Sequence, residues 1–150
     1  MMTTACPGSD EKKCMDYTPA ASFDSTTPVT SFRNDVVPIF NFSCTFTSCH
    51  GSQSGNANGV YLGGAGSDPT AVRAGIVDKP APELSSMAII KPGDPHDSYL
   101  MRKMDASNCL LSAQCTNGDC GDSMPKNEDP LPEDKRNVVR RWIAQGAQDN

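Results

Sequence analysis

The stretch CTFTSCH at residues 44–50 decides how this chain is interpreted. It sets four residues between two cysteines and places a histidine directly after the second cysteine. Two thiols and an imidazole at this spacing can form a disulfide, bind zinc or attach a cofactor. Structural zinc sites usually combine two sets of closely spaced ligands, so zinc is the weaker interpretation. The motif alone therefore leaves disulfide formation and cofactor attachment as alternatives for Cys44 and Cys49.

A first amphipathic helix is predicted immediately before the motif. Ser31 is a suitable N-cap, and Phe32, Val36 and Phe40 follow at helical intervals. Pro38 removes an amide donor inside this helix, so we expect the helix to be irregular in its middle. After the motif, a run of Gly, Ser, Asn and Ala predicts a long loop.

Two short helices in the middle of the chain are predicted from the same local signal. Asp68-Pro69 and Asp94-Pro95 each set an N-cap carboxylate before a proline at the first helical position. They predict helices over residues 70–77 and 96–104. No segment shows the alternation of a strand, so we expect an all-α fold of about four short helices and long loops.

The last helix is predicted to begin at Pro132 and to pack through one apolar stripe. This stripe consists of Val138, Val139, Trp142 and Ile143. We expect Trp142 to pack against the first helix near Phe40. Outside the stripe we expect a solvated basic face formed by Lys135, Arg136, Arg140 and Arg141.

Several segments occur in a characteristic order around the motif. VVPIF at 36–40 precedes the cysteines, KPGDP at 91–95 lies in the middle, and Met124-Pro125 and WIAQGA at 142–147 follow. Together they resemble the single-haem c-type cytochrome domains of bacteria, of the planctomycete-type cytochrome c-like kind. The resemblance covers about residues 31–148.

The resemblance implies a cytochrome c-like fold wrapped around a covalently bound haem c, whose iron lies at the centre of the core. In that family the counterparts of Cys44 and Cys49 carry the thioether bonds, and the counterpart of His50 is the proximal iron ligand. The methionine of the Met-Pro pair, here Met124, is the distal ligand. The chain departs from the family pattern in its two additional residues between the cysteines and in a cysteine-bearing insertion at 109–120.

Two other methionines compete with Met124 for the distal position. Met101 and Met104 lie three residues apart on a predicted helix, where methionine usually fills the core. Met124 lies in a loop with no apolar period to explain it, so we favour Met124 as the ligand. His96 lies between two aspartates and is expected to be a solvated surface residue.

The function implied by these residues is electron transfer by an extracytoplasmic carrier with His50 and Met124 as axial ligands. We expect no enzyme activity, and the partners would be redox proteins that donate and accept the electron. Two alternatives stay open. The first is a haem enzyme that reacts with peroxide or another small ligand, and the second is a haem-free, disulfide-stapled binding module.

Composition restricts the partners and the compartment. The chain has 150 residues, a net charge of −5 and a pI near 4.8, which argues against nucleic acid as a partner. No apolar stretch approaches the length of a membrane span. Seven cysteines favour an oxidising compartment, so we expect a periplasmic or extracellular protein, although the first residues show no export signal. Residues 1–30 are expected to form a linker or arm, and residues 31–150 the cytochrome c domain.

Five cysteines lie outside the motif, namely Cys6, Cys14, Cys109, Cys115 and Cys120. The last three crowd a short loop, so at least one disulfide there is expected. In one arrangement Cys6 is a lipid anchor and the other four form two disulfides. In the other, Cys6 pairs with Cys14, one pair forms in the loop and one thiol stays free or bonds to another chain.

Overall fold

The computed structural model describes residues 14–54 and 57–150, and this part of the chain is helical. Its α-helices are α1 (Val37–Ser43), α2 (Pro69–Ile76), α3 (Tyr99–Met104) and α4 (Glu133–Ala144). Shorter 3-10 segments occur at Ala57–Gly59, Asn108–Gln114 and Thr116–Gly118. Within the described residues β-structure is limited to isolated bridges, Val77 with Ile90 and Pro80 with Ala88. The expectation of a helical fold without a sheet is confirmed.

The first helical segment is irregular, as Pro38 predicts. Ser31 caps it by accepting a hydrogen bond from the Asn34 amide at 3.1 Å, and a π-helical segment follows at Phe32–Val36. The chain changes to α-helical geometry at α1, where Pro38 occupies the first turn. A proline is tolerated there because first-turn amides have no intrahelical partner.

The two middle helices differ in how well their starts are predicted. Asp68 caps α2 by accepting a hydrogen bond from the Thr70 amide at 3.1 Å, so this helix begins where its sequence signal predicts. The predicted start of the third helix at residue 96 is wrong, because α3 begins only after Ser98. Asp94 instead caps a separate turn by accepting from the Asp97 amide at 3.0 Å.

The core lies between the first helical segment and α4. Phe32 and Trp142 are fully buried, and their rings stack with centroids 4.8 Å apart. Phe40 packs edge-on against Phe32 at 6.3 Å, so Trp142 reaches Phe40 through Phe32. Other buried core members are Val36, Ile76, Ile90, Met101, Val139 and Ile143.

The described part of the N-terminal segment lies on α4, and this overturns the expected solvated basic face. The ring of Tyr17 lies 4.4 Å from the Arg136 guanidinium and 4.5 Å from that of Arg140. Arg140 is only 4% exposed, because Tyr17 covers it and Asp105 pairs with it. The basic face is therefore largely an internal contact. The division into an arm over 1–30 and a domain over 31–150 stays a prediction.

The same segment is fixed to α3 by charged groups. Arg102 donates a hydrogen bond to Asp16 at 2.7 Å, and His96 donates to the other oxygen of that carboxylate at 3.1 Å. The hydrogen bond from His96 and the charge of Arg102 lower the pKa of Asp16. His96 is exposed, as expected, and is one of the residues that hold the N-terminal segment in place.

Two disulfides involve the three cysteines of the loop at 109–120. Cys115 pairs with Cys120, which confirms the predicted local bond, and Cys14 pairs with Cys109. The second bond excludes the arrangement in which Cys6 pairs with Cys14. Cys6 itself lies outside the described residues, so its role as a lipid anchor stays a prediction.

None of the helices in residues 14–54 and 57–150 is long and apolar enough to cross a membrane.

Candidate functional site

The structure brings the four predicted site residues to one cavity. Cys44, Cys49, His50 and Met124 all line a space of about 430 Å³. The end of α1 and the loop after it form one wall, and α3 with the Met124 loop forms another. The sequence therefore identified residues that share a site, although 74 positions separate His50 from Met124.

The motif is positioned by a loop that folds back on the end of α1. The Cys44 amide donates to the Phe40 carbonyl at 2.7 Å, and the His50 amide donates to the Cys44 carbonyl at 3.1 Å. Gly51 permits this close return, since a Cβ at Gly51 would lie 2.1 Å from the Thr45 carbonyl oxygen. The two cysteines and the histidine are thus held on a compact turn at the edge of the cavity.

The orientation of His50 is set by a backbone carbonyl. Its Nδ1 lies 2.8 Å from the Val60 carbonyl oxygen, and the Leu62 amide donates to the His50 carbonyl at 2.9 Å. A carbonyl oxygen can only accept, so Nδ1 carries the proton in the neutral ring. The other ring nitrogen, Nε2, is left with a lone pair.

The two motif cysteines are unpaired thiols. Burial raises the pKa of the Cys44 thiol to about 12, and the neighbouring Cys49 adds to the shift. Cys44 is consequently protonated at neutral pH.

The opposite wall carries polar residues that sequence reasoning missed. Tyr99 donates to the Cys120 carbonyl at 3.1 Å, and Lys103 donates to the carbonyls of Cys120 and, at 2.9 Å, Asp122. Glu83 lies 3.9 Å from the Lys103 ammonium. Tyr99 and Lys103 lie one turn apart on α3, whereas Glu83 comes from a separate segment that no sequence spacing connects to them.

Burial shifts the pKa values of two residues in this wall, Lys103 and Tyr99. Removal from water lowers the pKa of Lys103, although Glu83 acts in the opposite direction. Burial also raises the pKa of Tyr99, and the charge of Glu83 adds to the shift. The Tyr99 hydroxyl is therefore a neutral hydrogen-bond donor at physiological pH.

Met124 is placed next to α3 by its backbone. Its amide donates to the Lys103 carbonyl at 3.0 Å, and a cis peptide bond joins it to Pro125. Met101 and Met104 are buried, as expected for core residues, although Met104 also lines the cavity. Thioether, thiol and imidazole groups thus surround one apolar space.

The predicted haem iron is contradicted by the arrangement of potential ligands. Across residues 14–54 and 57–150, no group of three or more His, Cys, Asp or Glu side chains is suited to hold a metal ion. The predictions of a haem c cofactor with iron bound by His50 and Met124, and of electron transfer, are therefore wrong. The alternative of a peroxide-reacting haem enzyme is wrong for the same reason.

Comparison with known proteins finds no matching family model, no matching curated protein and no matching solved structure.

Proposed function

We propose that the chain is a disulfide-stapled binding module that takes an apolar small molecule into the cavity beside Cys49 and His50. The cavity itself carries this proposal, because its volume of about 430 Å³ lies within the usual range for small-molecule sites. Most of its wall is apolar. The apolar lining includes Val60, Leu62, Ile89, Leu100, Met104 and Leu131.

One of the two disulfides supports the cavity wall. Cys115–Cys120 closes the loop whose carbonyls accept hydrogen bonds from Tyr99 and Lys103. Because this loop leads directly to Met124, the bond restrains one side of the site. A pre-formed wall favours ligand binding, since less ordering is needed when the ligand enters.

The same disulfides support the proposed location. Disulfides form and persist in the periplasm and outside the cell. Cys14–Cys109 and Cys115–Cys120 therefore favour a periplasmic or extracellular module. We propose a role in binding, without catalysis.

We propose a cytochrome c-like arrangement for the backbone alone. In that fold the first and last helices cross. The stacking of Phe32 on Trp142 supports this arrangement, because it joins the first helical segment to α4.

The proposal is tested with the neutral fluorescent probe N-phenyl-1-naphthylamine, which brightens in an apolar environment. We expect saturable binding of one probe per chain. Leu131 lines the cavity and is half-buried, so Leu131→Trp should fill the space with little damage to the core. Loss of probe binding in this variant is the expected result.

Leu110→Trp is the matched control, because Leu110 is 45% exposed and lies outside the cavity lining. It introduces the same side chain elsewhere and should leave probe binding unchanged. Failure of the wild type to bind the probe, or equal binding by both tryptophan variants and the wild type, would overturn the proposed function.

A further inference from the structure

Three hydrogen-bond donors in the cavity wall already donate within the protein. The Tyr99 hydroxyl and the Lys103 ammonium donate to loop carbonyls, and the Asn58 amide donates to Glu83 at 2.6 Å. A ligand acceptor would have to displace one of these bonds. Leaving a buried partner without its hydrogen bond costs free energy, so the buried donors Tyr99 and Lys103 do not favour ligands that only accept.

The acceptors in the wall differ from the donors, because one of them is not used in a hydrogen bond within the described part of the protein. Nδ1 of His50 is bound to the Val60 carbonyl, and among the described residues Nε2 has no hydrogen-bond partner. Glu83 accepts through Oε1, and its second carboxylate oxygen adds further capacity to accept. The cavity therefore offers one ring nitrogen, Nε2 of His50, that can accept from a ligand.

The thiols do not alter this balance. Cys44 is protonated and uncharged, and the Cys49 sulfur lies 3.9 Å from the Ser48 hydroxyl. Thiols are weak donors and weak acceptors. The imidazole nitrogen Nε2 is thus a stronger acceptor than either thiol in a wall that is otherwise mainly apolar.

We infer that the ligand of this site is an apolar molecule with a hydroxyl group, such as a phenol or an aromatic alcohol, that donates a hydrogen bond to Nε2 of His50. The inference rests on the proposed binding function and adds the chemical class of the ligand. The hydroxyl donates to Nε2, and the hydrocarbon part fills the apolar space. The Val60 carbonyl accepts from Nδ1, which leaves the lone pair on Nε2 of a ring that lines the cavity.

The test compares 2-naphthol with 2-methoxynaphthalene, which share the ring system but differ in the ability to donate. Both are measured by displacement of N-phenyl-1-naphthylamine from the wild type, from His50→Phe and from His96→Phe. We expect 2-naphthol to bind the wild type roughly three- to tenfold more tightly than the ether, as one added neutral hydrogen bond implies. His50→Phe should abolish the difference. His96→Phe should retain it, because the second histidine lies outside this cavity.

The outcomes separate the inference from the proposed function. Equal binding of both compounds to the wild type overturns the inference and leaves the binding function intact. A difference that persists in His50→Phe also overturns it, since the cause is then the size of the methyl group or a contact with Glu83. Failure of both compounds and of the probe to bind the wild type overturns the binding function itself. The comparison within the wild type stands even if His50→Phe does not fold.

Discussion

The side chains of Asp105 and Arg140 form a buried ion pair with two contacts, in which Nη2 lies 2.6 Å from Oδ1 and 2.5 Å from Oδ2. They are 8% and 4% exposed, respectively. Arg136 donates to the same carboxylate at 2.5 Å. Because Asp105 caps the end of α3 and both arginines belong to α4, one carboxylate connects two helices.

Asp105→Asn should destabilise the protein strongly. The change removes the counter-charge and leaves buried arginines without compensation, which costs about 3–5 kcal/mol. Urea unfolding followed by circular dichroism measures this loss. Asp94→Asn is the control, because Asp94 pairs with Lys91 at the surface and such pairs contribute little. Equal losses in the two variants would contradict the prediction.

The two disulfides should contribute unequally to stability. Cys14–Cys109 spans 95 positions and Cys115–Cys120 spans five. The loop-entropy relation gives about 4.7 kcal/mol for a loop of the longer size and about 2 kcal/mol for the shorter one. Double serine variants of each pair, compared by urea unfolding, should follow this order. The reverse order would show that chain entropy does not control their effects.

Phe32→Ala should lower the free energy of unfolding by about 3–5 kcal/mol, because it removes a fully buried ring that stacks on Trp142. The change can be followed by the fluorescence of Trp142, the only tryptophan in the chain. Phe42→Ala deletes the same side chain at a position that is 84% exposed, and it should change stability by no more than about 0.5 kcal/mol. A similar loss of stability at both positions would argue against the stacking of Phe32 on Trp142.

Cys44 should contribute to a loss of stability at alkaline pH. Burial raises the pKa of its thiol from 9.0 to about 12, so the unfolded chain releases this proton first. Stability from Cys44 is therefore present below pH 9 and declines as the pH rises from 9 towards 12. Cys44→Ala should show a smaller decline over this window in urea unfolding series. An identical decline would mean that the thiol ionises equally in the folded and unfolded states.

The helices were predictable where their signals are local. The carboxylate of Asp68 accepts a hydrogen bond from an amide only two residues away. The apolar residues of α4 recur at helical spacing over consecutive turns. The start of α3 was mispredicted because Asp94 and Ser98 are both capable caps, and local sequence does not decide between them. The burial of Arg140 depends on Tyr17 and Asp105, which approach it only in the folded chain.

The candidate site was predicted in part for the same reason. The CTFTSCH motif identified Cys44, Cys49 and His50. Met124 was identified because it lies in a loop where no apolar periodicity gives it a packing role. Tyr99, Lys103 and Glu83 form the facing wall, but they are brought there by tertiary contacts. The spacing of the motif could not show whether its side chains converge on a metal ion, and the prediction of haem failed at this step.

The bond between Cys14 and Cys109 also determines how the molecule would respond to mechanical tension. A force applied between a point before Cys14 and Asn150 passes directly through this covalent link, so residues 15–108 bear none of it. This shielded segment contains α1 to α3 and every cavity residue before position 109. Only the chain after Cys109 can extend, apart from residues 116–119, which the bond between Cys115 and Cys120 shields in the same way. Stretching would therefore open the cavity from one side while the CTFTSCH wall keeps its connection to α3.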